Sequence, residues 1–144
     1  MREVSVLGVG VHRFGKTGDD IVGTKSVTEL CRHAVQMALK DAGVSWRQIE
    51  AVAAASSRFS GGKGWGLNGN DIVEDIGSTG IPVYNLSAGC AAGGNAFNVG
   101  YSLVAGGVYD VVLVVGGEVM PKGMIQTSGV EEATDPEFLR QRCV

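Results

Sequence analysis

The run Asp110-Val111-Val112-Leu113-Val114-Val115, closed by Gly116-Gly117, constrains the fold more than any other stretch of this chain. Its apolar residues fall on both faces of an extended backbone, with no alternation toward water. A strand of that kind belongs in the middle of a parallel sheet covered by helices on both sides. Three other short apolar runs read as strands: residues 4–11 (Val-Ser-Val-Leu-Gly-Val-Gly-Val), 50–55 and 81–86. The second ends in Ala53-Ala54-Ala55, and the third carries Pro82 near its start, where a missing N–H is best tolerated.

Helical patterns separate these runs. Ser26-Val27-Thr28-Glu29 has the S-x-x-E form of a capping box. Val27, Leu30, Cys31, Ala34, Val35, Ala38, Leu39 and Ala42 then recur at steps of three and four, and Gly43 stands where a helix ends. A short helix is expected over 71–76 and a Gly/Ala-rich one over 90–105. In the latter, Gly93, Gly94 and Gly100 each cost about 1 kcal/mol against Ala. They predict a buried helix whose neighbours approach closely. Segments 12–25 and 56–70 read as loops. Strands alternating with helices predict an α/β fold built from parallel βαβ units with right-handed crossovers.

Composition narrows the function classes. The 144 residues are 44% hydrophobic and 19% charged, which excludes disorder for the chain as a whole. Fifteen acidic against twelve basic residues leave a net charge of −3, which argues against nucleic acid or an anionic membrane surface as partner. Three cysteines (Cys31, Cys90 and Cys143) are an odd number with no metal-ligand spacing, so neither a disulfide framework nor a metal site is expected. No apolar stretch is long enough to span a bilayer, and the Val4 to Val11 run lacks the features of a signal peptide. A cytoplasmic, reducing location is the expectation.

Among side chains able to do chemistry, Cys90 stands out. It follows Asn85-Leu86-Ser87-Ala88-Gly89 at the mouth of the Gly/Ala-rich helix. A thiol at a helix N-terminus gains from the unpaired N–H groups and the helix dipole, and small neighbours leave room for a substrate. The alternative is a buried, inert cysteine packed as a small hydrophobe. Cys31 lies on the core stripe of its helix, and Cys143 is the penultimate residue of the sequence. His12 and His33 are the only histidines. His33 falls four residues after Glu29, which predicts a solvated helix-face pair, and His12 ends the first apolar run. Glu118 sits at a strand's C-terminal end and reads as a turn residue. Gly64-Trp65-Gly66-Leu67-Asn68-Gly69 matches G-x-G-x-x-G, but it lies too far from the preceding strand for a dinucleotide turn. No complete catalytic set emerges.

Four stretches taken together resemble the thiolases, closest to their sterol-carrier-protein-type branch. They are Val6 to Gly10 with Arg13-Phe14-Gly15-Lys16; Ala34 to Gly43 with Ile49-Glu50-Ala51-Val52; Asn85 to Asn95 around Gly89-Cys90-Ala91-Ala92-Gly93-Gly94; and Ala105 to Asp110 through Gly116-Gly117-Glu118-Val119-Met120. They follow the family's order over most of residues 1–121. The resemblance implies the N-terminal half of a thiolase-type α/β/α/β/α sandwich with a mixed, mostly parallel sheet. Residues 1–117 would be that half-domain and 118–144 the start of the connecting region, with a helix beginning at Asp135-Pro136.

It also implies that Cys90 takes an acyl group from coenzyme A as a thioester, for thiolytic cleavage or Claisen condensation of a 3-ketoacyl-CoA. Coenzyme A would be a substrate rather than a resident cofactor. A homo-oligomer through residues 82–87 is implied, and a zinc-ribbon/OB-fold subunit is a further candidate partner. Many thiolases carry Ser or Thr two residues after the cysteine, where this chain has Ala92. The family's histidine motifs and second cysteine belong to its other half and match no position here. The rival expectations are a non-catalytic scaffold subunit, a lyase acting on side-chain acyl-CoA, and a nucleotide-binding domain using the glycines at 62–69.

Overall fold

The computed structural model describes residues 1–57 and 66–119. The first helix, α1 (Val27–Ala42), opens with the capping box that its sequence spells. Glu29 N–H donates to Ser26 Oγ at 3.2 Å, and Ser26 N–H donates to Glu29 Oε2 at 2.8 Å. Those bonds hold the Glu29 carboxyl below its ordinary range. Gly43 ends the helix at φ 67°, a left-handed conformation that only glycine adopts without strain. A 3-10 turn at Trp46–Gln48 leads into β1 (Ala51–Ala55). Then come α2 (Gly69–Ile76), β2 (Val83–Leu86), α3 (Ala92–Ala105) and β3 (Val112–Gly116).

The three strands form one parallel sheet in the order β2-β1-β3, with Val52 opposite both Val83 and Leu113. Strand β1 is the centre, and none of its five residues is more than 3% exposed. Four of the five are alanine, which lets helices close in on both faces. On one face Val52 and Ala54 join Val27, Cys31, Val35 and Ile72. On the other, Ala53 and Ala55 pack against Ala92 and Ala96 of α3. The result is three layers: α1 and α2, the sheet, then α3.

Three expectations are corrected. Residues 4–11 do not join the sheet; Val6, Leu7, Val9 and Val11 are all more than half exposed. The reason lies in Gly8 and Gly10. A Cβ at Gly8 would stand 2.5 Å from the Ala42 nitrogen, and one at Gly10 would overlap the Ala34 carbonyl oxygen. With no side chain at either position, the segment lies flat on the Ala34–Ala38–Ala42 side of α1, and its Val9 N–H is held by the Asp41 carboxylate at 2.9 Å. A cleft of about 370 Å³ separates it from α3 and β3.

Second, the valine-rich run is an edge strand of this sheet, with Leu113 and Val115 buried and Val114 37% exposed. Third, α3 starts two residues later than expected and is buried on one side only, since Phe97 and Tyr101 are about half exposed. Among the described residues Gly100 is the one glycine of α3 that serves close approach: a Cβ there would lie 2.6 Å from Val114 Cγ2, whereas none of the described residues comes within 4 Å of a Cβ at Gly93 or Gly94. The helix expected at 135 lies outside the described residues, as does most of the connecting region.

Candidate functional site

Parallel strands deliver their C-terminal ends to one edge of the sheet, the usual place for ligands in α/β folds. Here Ser56-Ser57 follows β1, Ser87 follows β2, and Gly117-Glu118 follows β3. Hydrogen bonds tie these ends together. Ser87 Oγ donates to the Ser57 carbonyl at 3.1 Å, and Ser56 N–H donates to the Leu86 carbonyl at 3.2 Å. Glu118 Oε1 accepts from Ser56 Oγ at 3.1 Å and from the Ser57 N–H. Glu118 is therefore a brace between the ends of β1 and β3, more than the turn residue expected from sequence. The serines were missed, although Ser56 and Ser87 each stand directly after a strand-like run.

Cys90 belongs to this edge. The chain leaves β2 at Leu86, turns through Gly89 at φ 55°, and enters α3 at Ala92. Cys90 sits in that turn, exposed, with no disulfide. Among the described residues no hydrogen bond or ion pair engages its thiol. The N-cap of α3 is Ala91, which has no side chain able to cap the helix. Cys90 is therefore not the buried cysteine of the alternative expectation; the buried one is Cys31, which is 3% exposed.

Burial pushes the Cys31 thiol up to about 12. Its sulfur fills the space beside Gly117, where a Cβ would overlap it. The folded state thus holds the Cys31 proton more tightly than an unfolded chain, whose thiol loses it near ~8.5. The stability this supplies is whole below about pH 8.5 and is lost as pH rises toward 12, by at most ~1.4 kcal/mol per pH unit. Urea unfolding of the Cys31→Ala variant is expected to show a flatter decline above about pH 8.5 than the unsubstituted chain. Equal slopes would refute it.

The histidines do not approach this edge as a catalytic pair. His12 packs its ring against His33, with centroids 5.0 Å apart, and its Nδ1 lies 2.8 Å from the Arg13 carbonyl oxygen. Glu29 is engaged by Ser26 instead of forming the expected pair with His33. Of the glycine motif, Asn68 caps α2 through the Asn70 N–H at 3.0 Å, and Gly69 is the first residue of that helix. A Cβ at Gly69 would lie 2.6 Å from both Ala54 Cβ and Val83 Cγ1. Its N–H donates to Asn85 Oδ1 at 2.8 Å. Gly69 serves helix-to-sheet packing there, and residues 62–65 lie outside the described residues.

Comparison with known proteins identifies the frame. Residues 4–137 match the family profile described as "Thiolase, N-terminal domain". The chain belongs to the thiolase family. Sterol carrier protein 2 of Gallus gallus is 36% identical over 135 residues, covering 94% of this thiolase-family chain and 23% of that protein. An acetyl-CoA acetyltransferase of Methanothermobacter thermautotrophicus is 31% identical over 150 residues, covering all of this chain and 36% of that one. The chain therefore spans about a quarter to a third of the length of these relatives.

Among solved structures, the acetyl-CoA acetyltransferase of Syntrophomonas wolfei superposes with a TM-score of 0.65 at 22% identity, over 76% of this chain and 27% of that one. The 3-oxoacyl-[acyl-carrier-protein] synthase III of Aquifex aeolicus gives 0.60 at 16% identity, over 75% and 42%. These likenesses establish the thiolase-type α/β fold for the N-terminal part. Among the described residues, no helix is long and apolar enough to cross a membrane.

Proposed function

We propose that this chain is the nucleophile-bearing part of a thiolase-type acyltransferase, with Cys90 as the residue that receives the acyl group. The observation that carries the reading is an exposed thiol, engaged by no hydrogen bond among the described residues, between the C-terminal end of a parallel strand and the start of α3, which no side chain caps. In the reaction, the Cys90 thiol gives up its proton and its sulfur attacks the carbonyl carbon of an acyl-CoA thioester. The bond from that carbon to the CoA sulfur breaks. Coenzyme A leaves with the electron pair and takes up a proton, and the acyl group remains on Cys90 as a new thioester. In condensation, the α-carbon of a second acyl-CoA loses a proton, attacks the Cys90 thioester and takes the acyl group, and the Cys90 sulfur leaves with its electron pair. In cleavage, the Cys90 sulfur instead attacks the 3-keto carbon of a 3-ketoacyl-CoA. The bond from that carbon to the α-carbon breaks, the α-carbon takes a proton and leaves as an acyl-CoA, and coenzyme A then takes the acyl group from Cys90.

The geometry supports parts of this scheme. Gly89, Ala91 and Ala92 flank the thiol with little bulk, so a thioester can reach it. The start of α3 carries N–H groups that no side chain caps, and these suit an oxyanion developing on the carbonyl. Glu118 and the serines hold the surrounding strand ends, which fixes the turn from which Cys90 projects. Strand β2 lies at the edge of the sheet, so the same reading places a second copy of the chain along residues 82–87.

The test is covalent trapping. After incubation with acetyl-CoA, peptide mass spectrometry is expected to find one acetyl group on the Cys90 peptide and none in Cys90→Ala. Multiple turnover by the 144-residue chain is not expected, since a nucleophile without a partner base lacks most of the catalytic set. Thiolysis of acetoacetyl-CoA at an enzymic rate, abolished by Cys90→Ala, would overturn that second expectation. Acetylation confined to other side chains would overturn the assignment of Cys90.

A further inference from the structure

The two histidines of this chain stand 21 positions apart in sequence, yet their rings meet. His12 lies in the segment that runs over α1, and His33 is on α1 itself, on its exposed side. We propose that His12 and His33 form a two-histidine chelate for a divalent transition-metal cation, separate from the Cys90 edge.

Three observations carry this. The first is spacing. Two imidazoles bound to one ion through one nitrogen each, at ~2.1 Å and a roughly tetrahedral angle, hold their centroids about 5 Å apart. The rings here are 5.0 Å apart, with planes inclined by 75°.

The second is the tautomer. His12 Nδ1 lies 2.8 Å from the Arg13 carbonyl oxygen, which can only accept. Nδ1 therefore carries the proton and donates it, which leaves the Nε2 lone pair for a ligand. A ring nitrogen held by a backbone carbonyl is the arrangement that orients metal-binding histidines elsewhere. The third is freedom. Among the described residues no hydrogen bond engages the His33 ring, so this exposed ring can turn to aim a nitrogen at the same point.

Among the described residues no third His, Cys, Asp or Glu completes a cluster, so water fills the remaining positions. Imidazole nitrogen sets the class of ion. Cu²⁺, Ni²⁺ and Zn²⁺ suit it, with Cu²⁺ the tightest, whereas Mg²⁺ and Ca²⁺ prefer oxygen. The fold contributes by laying residue 12 across α1. The glycines at positions 8 and 10 let the segment sit close enough to the helix for the two rings to touch.

Proton NMR tests the proposal cleanly, because the chain has two histidines and so two sets of imidazole signals. The untagged chain, its reactive thiols first blocked with iodoacetamide, is titrated with Ni²⁺. Both imidazole signals are expected to broaden in parallel at substoichiometric metal, and Mg²⁺ is expected to leave them unchanged. His12→Ala should raise the Ni²⁺ needed to broaden the His33 signal by at least about tenfold, since the second imidazole no longer binds intramolecularly. His12→Phe keeps an aromatic ring against His33 while removing the nitrogen, so it should lose the same factor if chelation is at work. Circular dichroism reports whether each variant is folded. If the signals broaden independently, or if His12→Phe binds Ni²⁺ as the unsubstituted chain does, the contact is ring packing alone and the proposal fails.

Discussion

Iodoacetamide at neutral pH is expected to label Cys90 about 10³-fold faster than Cys31, read as separate peptides by mass spectrometry. The thiolate is the reacting species. With its thiol pushed up to about 12 by burial, Cys31 holds roughly 10³-fold less thiolate at neutral pH than an ordinary cysteine titrating near ~8.5. Access works in the same direction, because Cys31 is enclosed by α1 and the β3 end while Cys90 is exposed. An acyl-CoA added beforehand should slow labelling of Cys90 and leave Cys31 as it was. Comparable rates at the two cysteines would mean that Cys31 is not sealed in the core, and the packing of Gly117 against its sulfur would have to be wrong. A Cys90 that labels slowly and is not protected by acyl-CoA would instead favour a non-catalytic scaffold with the same fold.

Ile72→Ala carries the largest expected loss of stability. Ile72 is 0% exposed and sits on α2, in the cluster that joins α1, α2 and one face of the sheet. Truncation removes three buried carbons and leaves a cavity whose walls are β1 and α1, which cannot collapse without separating the layers. Such changes cost about 2–5 kcal/mol, against a total stability of order 5–15 kcal/mol for a domain. The urea midpoint should fall by a large fraction, with the slope of the transition unchanged. Val108→Ala, at a side chain 59% exposed, is the control and should stay within about 0.5 kcal/mol. Similar shifts for the two variants would refute the placement of α2 over the sheet.

Much of the fold was legible because its signals are local. The S-x-x-E box at Ser26 and the glycine at 43 bound α1 to the residue, since both caps are bonds between near neighbours. The alternation of strand and helix from residue 27 to 116 was also readable. Cys90 was legible as a candidate for the same reason: small residues, a strand before it and a helix after it are all adjacent in sequence.

Other features depended on what lies across the fold. The valine-rich run and residues 4–11 have equally strand-like compositions, and composition does not say which neighbour a strand takes. The alanine strand became the centre because its small side chains admit helices on both faces. Residues 4–11 went to α1 because glycines at alternate positions removed the side chains that would have held them off it. The three serines and Glu118 were invisible as a group, since they are brought together by the parallel ends of three strands.

The sequence by itself determined the boundaries of α1, the α/β class and the family, and it singled out Cys90 as the candidate nucleophile, because caps, periodicities and motifs are written over spans of a few residues. Only the tertiary structure decided the order of the strands, the fate of residues 4–11, the brace at Glu118 and the meeting of His12 with His33. Those depend on which surfaces come within contact of one another, and packing between segments far apart in the chain is a property of the assembled layers.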